Sequence, residues 1–253
     1  MRINTFNYTP FLNNKISFGT TGRYYTCENG DEFGTNSWLF RDDIDWKRLA
    51  KYEKNHFCNK NRVNIIQFAS SDGSEAYTKI ISLLENYPQK NAEKFFPIKA
   101  FDIDEEIVNA ARSGYINTCY ADRINLQVNS EDYTKYFTYT NEILNIKDDI
   151  KLQNQKTLKA TNYLTNRVHF ERADMYNILA ILNDNSDTIL MCRNVLGYFE
   201  NDKIEKFVKI VSKKLNPGSL FIIGEHDTSN SFIDRYLKEN KFMAVFKHVY
   251  QKL

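Results

Sequence analysis

The stretch Ile65–Tyr77, IIQFASSDGSEAY, decides the fold. A short apolar run (Ile65, Ile66, Phe68) gives way to Ala69-Ser70-Ser71-Asp72-Gly73, small residues that let the backbone turn tightly and come close to a ligand. From Ala76 onward, Ile80, Ile81, Leu83, Leu84 and Tyr87 recur at spacings that put them on one helical face. Buried strand, small-residue turn and helix make the opening unit of a doubly wound α/β sheet, whose ligands sit in the crevice at the carboxyl ends of the strands. The turn has neither GxxxxGK[ST] nor a full GxGxxG, so it is a poor phosphate cradle. Glu75, at the start of the helix, disfavours phosphate and favours a cationic group such as an amino-acid amine. A first-turn carboxylate that merely stabilises the helix dipole would look the same, and the residue alone leaves both readings open.

Downstream the same grammar repeats. Ile98 to Ile103 supplies a second strand, and Asp104, Glu105 and Glu106 open a helix that buries Ile107, Val108, Ala110 and Ala111, with Gly114 just past its end. Val168-His169-Phe170, Thr188–Cys192 and Ser219–Gly224 are the third, fourth and fifth strands. Ile204, Phe207, Val208, Ile210 and Val211 mark a helix stopped by Asn216-Pro217-Gly218. A short helix over Ser231–Lys238 and one or two strands within Phe242–Lys252 close the chain. Strands alternating with helices predict an α/β fold with a mainly parallel sheet. Cys119–Arg167 breaks the pattern: it is rich in Asn, Lys and Thr, with strand-like fragments at Tyr136–Tyr139 and Ile150–Leu152, and reads as an inserted antiparallel subdomain. Met1–Gly34 reads as an irregular arm. Trp46, Leu49 and Ala50 keep helical spacing behind Asp42 or Asp43 as cap.

Composition narrows the function. The 253 residues suffice for one large α/β domain with an appendage, or two small domains, and 42% hydrophobic residues allow a sizeable core. A formal charge of +2 without a basic stripe argues against a nucleic-acid partner. Cys27, Cys58, Cys119 and Cys192 have no metal-ligand spacing, so no metal is expected and a reducing cytoplasm is. No apolar run approaches ~18 residues and the first residues hold no apolar leader core, so neither membrane insertion nor a signal peptide is expected. His56, His169, His226 and His248 are scattered, without triad spacing.

Acids at successive strand ends sharpen the ligand. Asp102 closes the second strand and is placed to accept both ribose hydroxyls of a nucleoside, or is a polar strand end with Asp104 capping the helix. Asp174, after the third strand, can accept from an adenine amine or stand as a solvated loop acid. With Glu75 they describe a pocket for adenosine bearing an amino-acid tail, for which S-adenosyl-L-methionine is the leading candidate.

Cys192-Arg193-Asn194-Val195-Leu196-Gly197-Tyr198-Phe199 is the most distinctive string. It resembles the C-R-N-V-x-I-Y-F motif of the CheR-type chemotaxis-receptor glutamate methyltransferases, except at Gly197. Ser71–Thr78 is similar to that family's S-T-G-E-E-P-Y-S turn, Asp102-Ile103-Asp104 with Ala111–Ile116 to its D-I-D…A-R-x-G-x-Y, Thr35–Asp42 to its N-x-T-x-F-F-R-[DE], and Leu215–Gly224 to its L-x-P-G-G-x-L-x-x-G ending. The resemblance runs in order from about Gly34 to the last residues. It implies a doubly wound, mainly parallel seven-stranded sheet of the Rossmann-like class I methyltransferase type, with residues 35–253 as the methyltransferase domain and 119–167 as the family's small β-subdomain, which in some members docks a receptor tail. It further implies cofactor contacts from Thr35, Ser37, Arg41, Glu75, Asp102, Asp174, Met175, Arg193 and Asn194. Five positions depart from the pattern: Thr35 replaces an Asn, Ser37 a Thr, Ser74 a Glu, Gly197 a bulky aliphatic residue near the acceptor site, and Asp174 stands where the family commonly has Asn. About thirty residues precede the first motif, where the family usually carries a helical domain.

The implied chemistry asks little of the protein. A glutamate carboxylate needs no general base at neutral pH, so catalysis comes from in-line positioning and desolvation. By resemblance Arg41 and Tyr198 lie beside the transferred methyl, Arg41 orienting a carboxylate and Tyr198 shaping the methyl channel. Read without the motifs, Arg41 pairs with Asp42 or Asp43 and Tyr198 is a core aromatic. The expectation is a cytoplasmic, monomeric O-methyltransferase acting on an exposed glutamate of a protein, a chemoreceptor, and releasing S-adenosyl-L-homocysteine. The same fold acting on another acceptor, or binding the cofactor without transfer, are the other readings.

Overall fold

The computed structural model describes residues 24–26, 32–34, 37–117, 133–140, 157–182 and 186–253. Strands β1 (Tyr24–Thr26) and β2 (Glu32–Gly34) pair antiparallel, so the arm read as irregular carries a small hairpin. Its tyrosines, Thr26 and Phe33 are strand formers, in runs too short to show a period.

The main sheet has seven strands. β3 (Asn64–Phe68), β4 (Ile98–Asp102), β8 (Val168–Arg172), β9 (Thr188–Cys192) and β10 (Leu220–Ile222) run parallel. β11 (Phe242–Phe246) and β12 (Val249–Lys252) form a closing hairpin, and β12 inserts antiparallel between β10 and β11. Spatial order is β11-β12-β10-β9-β3-β4-β8. The chain winds outward from β3 through β4 to β8, then returns to place β9 on the other side of β3. The topological switch point therefore lies between β3 and β9, at the end of the opening strand.

Helices cover both faces. On one lie α1 (Trp46–His56), α2 (Ser74–Asn86) and α4 (Glu105–Ser113), packing Trp46, Leu49, Ile80, Ile81 and Val108 on Ile65, Ala100 and Ile189. A single turn, α3 (Gln89–Ala92), follows α2. On the other face Phe207, Val208, Ile233 and Leu237 pack on Ile66, Phe68, Leu190 and Phe221. Side-chain alternation along β3 thus feeds two cores, and each fully buried large apolar side chain contributes roughly 1.5–3 kcal/mol.

A second sheet is antiparallel and three-stranded: β5 (Tyr115–Asn117), β7 (Thr157–Ala160) and β6 (Phe137–Thr140), with β7 in the middle. It begins before Cys119 because Gly114, in the left-handed region at φ 74°, ends α4 and turns the chain straight into β5. The fragment Ile150–Leu152 lies outside the described residues. After α5 (Asn162–Thr165), β8 leads into α6 (Met175–Ile181), a helix the sequence pattern does not announce; α7 (Asn201–Lys214), α8 (Glu225–Thr228) and α9 (Ser231–Glu239) follow. Asp45, and neither Asp42 nor Asp43, caps α1, accepting from Arg48 N at 2.9 Å. No helix among the described residues is long and apolar enough to cross a membrane.

Candidate active site

The turn after β3 is shaped before any ligand is considered. Ser70 N donates to Phe101 O at 2.9 Å, and Ser71 N to Asp102 Oδ2 at 2.8 Å, so the ends of β3 and β4 are tied together. Gly73 has φ 86°, and a Cβ on it would lie 2.6 Å from the Phe170 ring, so both conformation and space require glycine. Asp72 accepts from Ser74 N at 2.9 Å, is buried, and is raised to about 6, chiefly by burial, with Glu75 adding to the rise and Arg41 opposing it.

Asp102 is buried at the end of β4. Its Oδ1 accepts from Asp104 N at 3.1 Å; burial pushes its carboxyl above the usual range, and the N–H groups of Asp104, Ser71 and Ile103 partly offset this. Asp104 caps α4 through Glu106 N. Asp174 is the cap of α6, accepting from Tyr176 N at 2.7 Å, and Met175 behind it is half-buried. The neighbouring Ala173 N donates to Asp102 O at 2.9 Å, which brings the ends of β4 and β8 together, with Ile103 exposed there.

Glu75 meets two guanidinium groups. Arg193 approaches at 2.8 Å and Arg41 at 3.9 Å, and Arg41 lies over the Trp38 ring at 3.8 Å. The Arg193 side chain is enclosed, paired on its other edge with Asp43 and lying over Trp46. Arg193 is therefore engaged with protein carboxylates on both edges, and its link to a ligand at Glu75 runs through that carboxylate. Asp43 also accepts from Glu225 N at 3.1 Å. It thereby latches the 37–45 segment, which carries Ser37 and Arg41, to the ends of β9 and β10. The same segment is held on α2 by Phe40 N donating to Thr78 Oγ1 at 2.9 Å.

Asn194 follows β9 with φ 57° and donates its N–H to Asp227 Oδ2 at 2.7 Å. Asp227 also accepts from Gly224 N at 2.7 Å and Gly197 N at 3.1 Å, so one buried carboxylate fastens the CRNVLGYF turn to the loop after β10. Burial raises its pKa against the pull of those three N–H groups. Gly224 must be glycine because a Cβ there would lie 2.1 Å from Asn194 Oδ1. Tyr198, in a short turn, is 37% exposed and stands on the rim, with its ring against His226. Thr35 lies outside the described residues. Asp43 and Asp227 are the site-building residues that sequence reasoning misses; the only trace of Asp227 is an acid three residues past the fifth-strand glycine.

Several buried polar atoms around this crevice have no hydrogen-bond partner among the described residues: Ser37 Oγ, Ser70 Oγ, Arg193 Nε and Asn194 Nδ2. Buried polar groups are normally satisfied, so donors and acceptors left over at a switch point fit a polar ligand with nucleoside and amino-acid parts. Among the described residues no His, Cys, Asp and Glu side chains gather into a metal-holding group.

Sheet order, one reversed strand and acids at the ends of β4 and β8 define a class I S-adenosylmethionine-dependent methyltransferase. Residues 36–242 match the family model "CheR methyltransferase, SAM binding domain". The chain belongs to that family, and S-adenosyl-L-methionine is its cofactor. It is 26% identical over 212 residues to chemotaxis protein methyltransferase 1 of Vibrio cholerae serotype O1, covering 81% of this chain and 70% of that protein. It is 27% identical over 230 residues to the chemotaxis protein methyltransferase of Borreliella burgdorferi, covering 88% and 74%. Among solved structures, a precorrin-6y C5,15-methyltransferase from Geobacter metallireducens overlaps 84% of this chain and 90% of its own, at 10% identity and TM-score 0.41.

Proposed function

We propose that this protein transfers a methyl group from S-adenosyl-L-methionine to the side-chain carboxylate of a glutamate in a partner protein, a chemoreceptor. When bound, the cofactor supplies an electrophilic sulfonium methyl. Glu75 takes its ammonium, Asp102 its ribose hydroxyls and Asp174 its adenine amine, with Met175 and Ile103 against the ring and Ser37, Arg193 and Asn194 closing the amino-acid end. Thr35 is assigned to the same end by its motif alone.

The observation that carries the reading is the placing of Arg41. Its guanidinium is half-buried over Trp38 and held beside Glu75 by a latched segment, which supports a role in orienting the acceptor carboxylate without the entropy cost of a free surface arginine. Tyr198 on the rim bounds the path of the methyl. The acceptor carboxylate is already ionised at neutral pH, so these residues orient it and strip its water, and none needs to move a proton. The names of the relatives support a chemoreceptor as substrate, and with such a substrate we infer a cytoplasmic enzyme. A second reading, the same transfer to a different acceptor, is favoured by Gly197 alone.

The test is methyl-labelled cofactor with glutamate-bearing receptor fragments. Base-labile label should appear on the fragment and fall at least a hundredfold in Arg41→Ala. Base-stable label, or none from folded, cofactor-binding protein, would sink the proposal.

A further inference from the structure

Gly197 has no side chain, and the space beside it belongs to His226. A Cβ on Gly197 would stand 2.6 Å from His226 Cδ2, 2.8 Å from its Nε2 and 2.9 Å from its carbonyl oxygen. A larger residue at 197 and the imidazole at 226 therefore exclude one another. The imidazole lies against Tyr198 with ring centroids 4.8 Å apart and planes inclined at 52°. Its backbone is fixed: His226 N donates to Asn194 Oδ1 at 3.1 Å, and the next residue is Asp227, whose carboxylate binds both the Asn194 and the Gly197 N–H. The neighbouring charges are spoken for. Glu225 is paired with Lys247 at 3.0 Å, and Asp227 is committed to three backbone N–H groups. The imidazole itself is exposed, on the same rim as Tyr198.

We infer that His226 is a specificity-determining residue of the acceptor site, which fills the place of a side chain at 197, props the Tyr198 ring and donates a ring N–H to the acceptor carboxylate. This rests on the glutamate-transfer reading above. An aliphatic side chain in that place can only exclude water, whereas an imidazole also offers a directed donor. The pairing of Gly197 with His226 thus exchanges a greasy wall for a polar one and favours acidic acceptors over neutral ones. The Tyr198 ring leans on an imidazole whose backbone N–H is anchored on Asn194 Oδ1.

KM and kcat for the receptor fragment, measured separately with calorimetric cofactor affinity, test this. His226→Ala should raise the acceptor KM about tenfold while cofactor affinity stays within about twofold, and His226→Gln, which keeps a donor, should recover most of that loss. Gly197→Ala should be damaging alone and only partly rescued by His226→Ala, since removing the ring relieves the contacts at 2.6 and 2.8 Å and leaves the one with the backbone carbonyl at 2.9 Å. An unchanged acceptor KM in His226→Ala overturns the inference. So does a parallel collapse of cofactor affinity, which would make His226 a mere support of the turn. If the unsubstituted protein binds cofactor yet places no base-labile methyl on any glutamate, the transfer reading falls and takes this one with it. If it is active and His226→Ala is indifferent, only this one falls.

Discussion

Asp72 is buried beside Glu75, and its hydrogen bonding to Ser74 and the Arg41 charge only partly offset that burial. Its folded pKa of about 6, against an ordinary 3.8, means the folded state holds its proton more tightly than the unfolded chain. The stability it contributes is fully present below about pH 4 and is lost as pH rises through about 6. Asp72→Asn keeps the acceptor for Ser74 N and removes the charge. It should therefore raise stability at pH 8 by about 1–3 kcal/mol, and the gain should vanish near pH 4; urea melts at the two pH values measure it. A penalty of this kind at the cofactor turn is consistent with a site that receives cationic ligand groups. Backbone strain collects in the same place: Ala69, Ser71 and Asn194 all have φ between 51° and 57° without being glycine, each at a cost of order 1–3 kcal/mol. At this scale the sequence is uneven. Glu75 and Asp102 are legible because they stand at fixed offsets from strand ends, and Asn194 only through the motif it shares with the family. Asp43 is not, because its partner Arg193 is 150 residues away and nothing local marks the pair.

Between elements, the tie that matters most is Glu53 of α1 with Lys79 of α2, an ion pair with both side chains fully buried. Burial pushes Glu53 up and Lys79 down, and each holds the other's charge against that pressure. The pair seats the helix that follows the Arg41 segment upon the helix that carries Glu75 in its first turn. Lys79→Met strands a buried carboxylate and should cost about 3–5 kcal/mol, whereas Glu53→Leu with Lys79→Met should return most of it. Equilibrium denaturation of the two single variants and the pair decides this. Strands were the most readable elements, since their apolar runs are bounded by turn residues. The helix Met175–Ile181 was not, because it is short and fully buries only Leu179. β5 and β7 are not legible in the sequence either, because each is a few residues long and lies in a polar context whose pairing is settled by the partner strand.

For the whole molecule, the crevice joins segments from both halves of the sheet, so a ligand bound there reports on global stability. Cofactor at a hundred times its dissociation constant should add about 2.7 kcal/mol, a rise in melting temperature of about 5–10 °C for a chain this size. In Asp102→Ala the same concentration should give a visibly smaller rise, since the variant removes the proposed ribose acceptor at a cost of ~1–3 kcal/mol in affinity; an equal rise would refute that role. The closing hairpin carries one more consequence. β12 lies inside the sheet, between β10 and the edge strand β11, although it follows β11 in the chain. A chain lacking Val249–Lys252 leaves β10 and β11 with open edges, able to recruit foreign strands. The sheet is thus sealed from within by β12, and a chain truncated after Lys247 should aggregate under conditions that keep the untruncated chain dispersed, as light scattering at equal concentration measures.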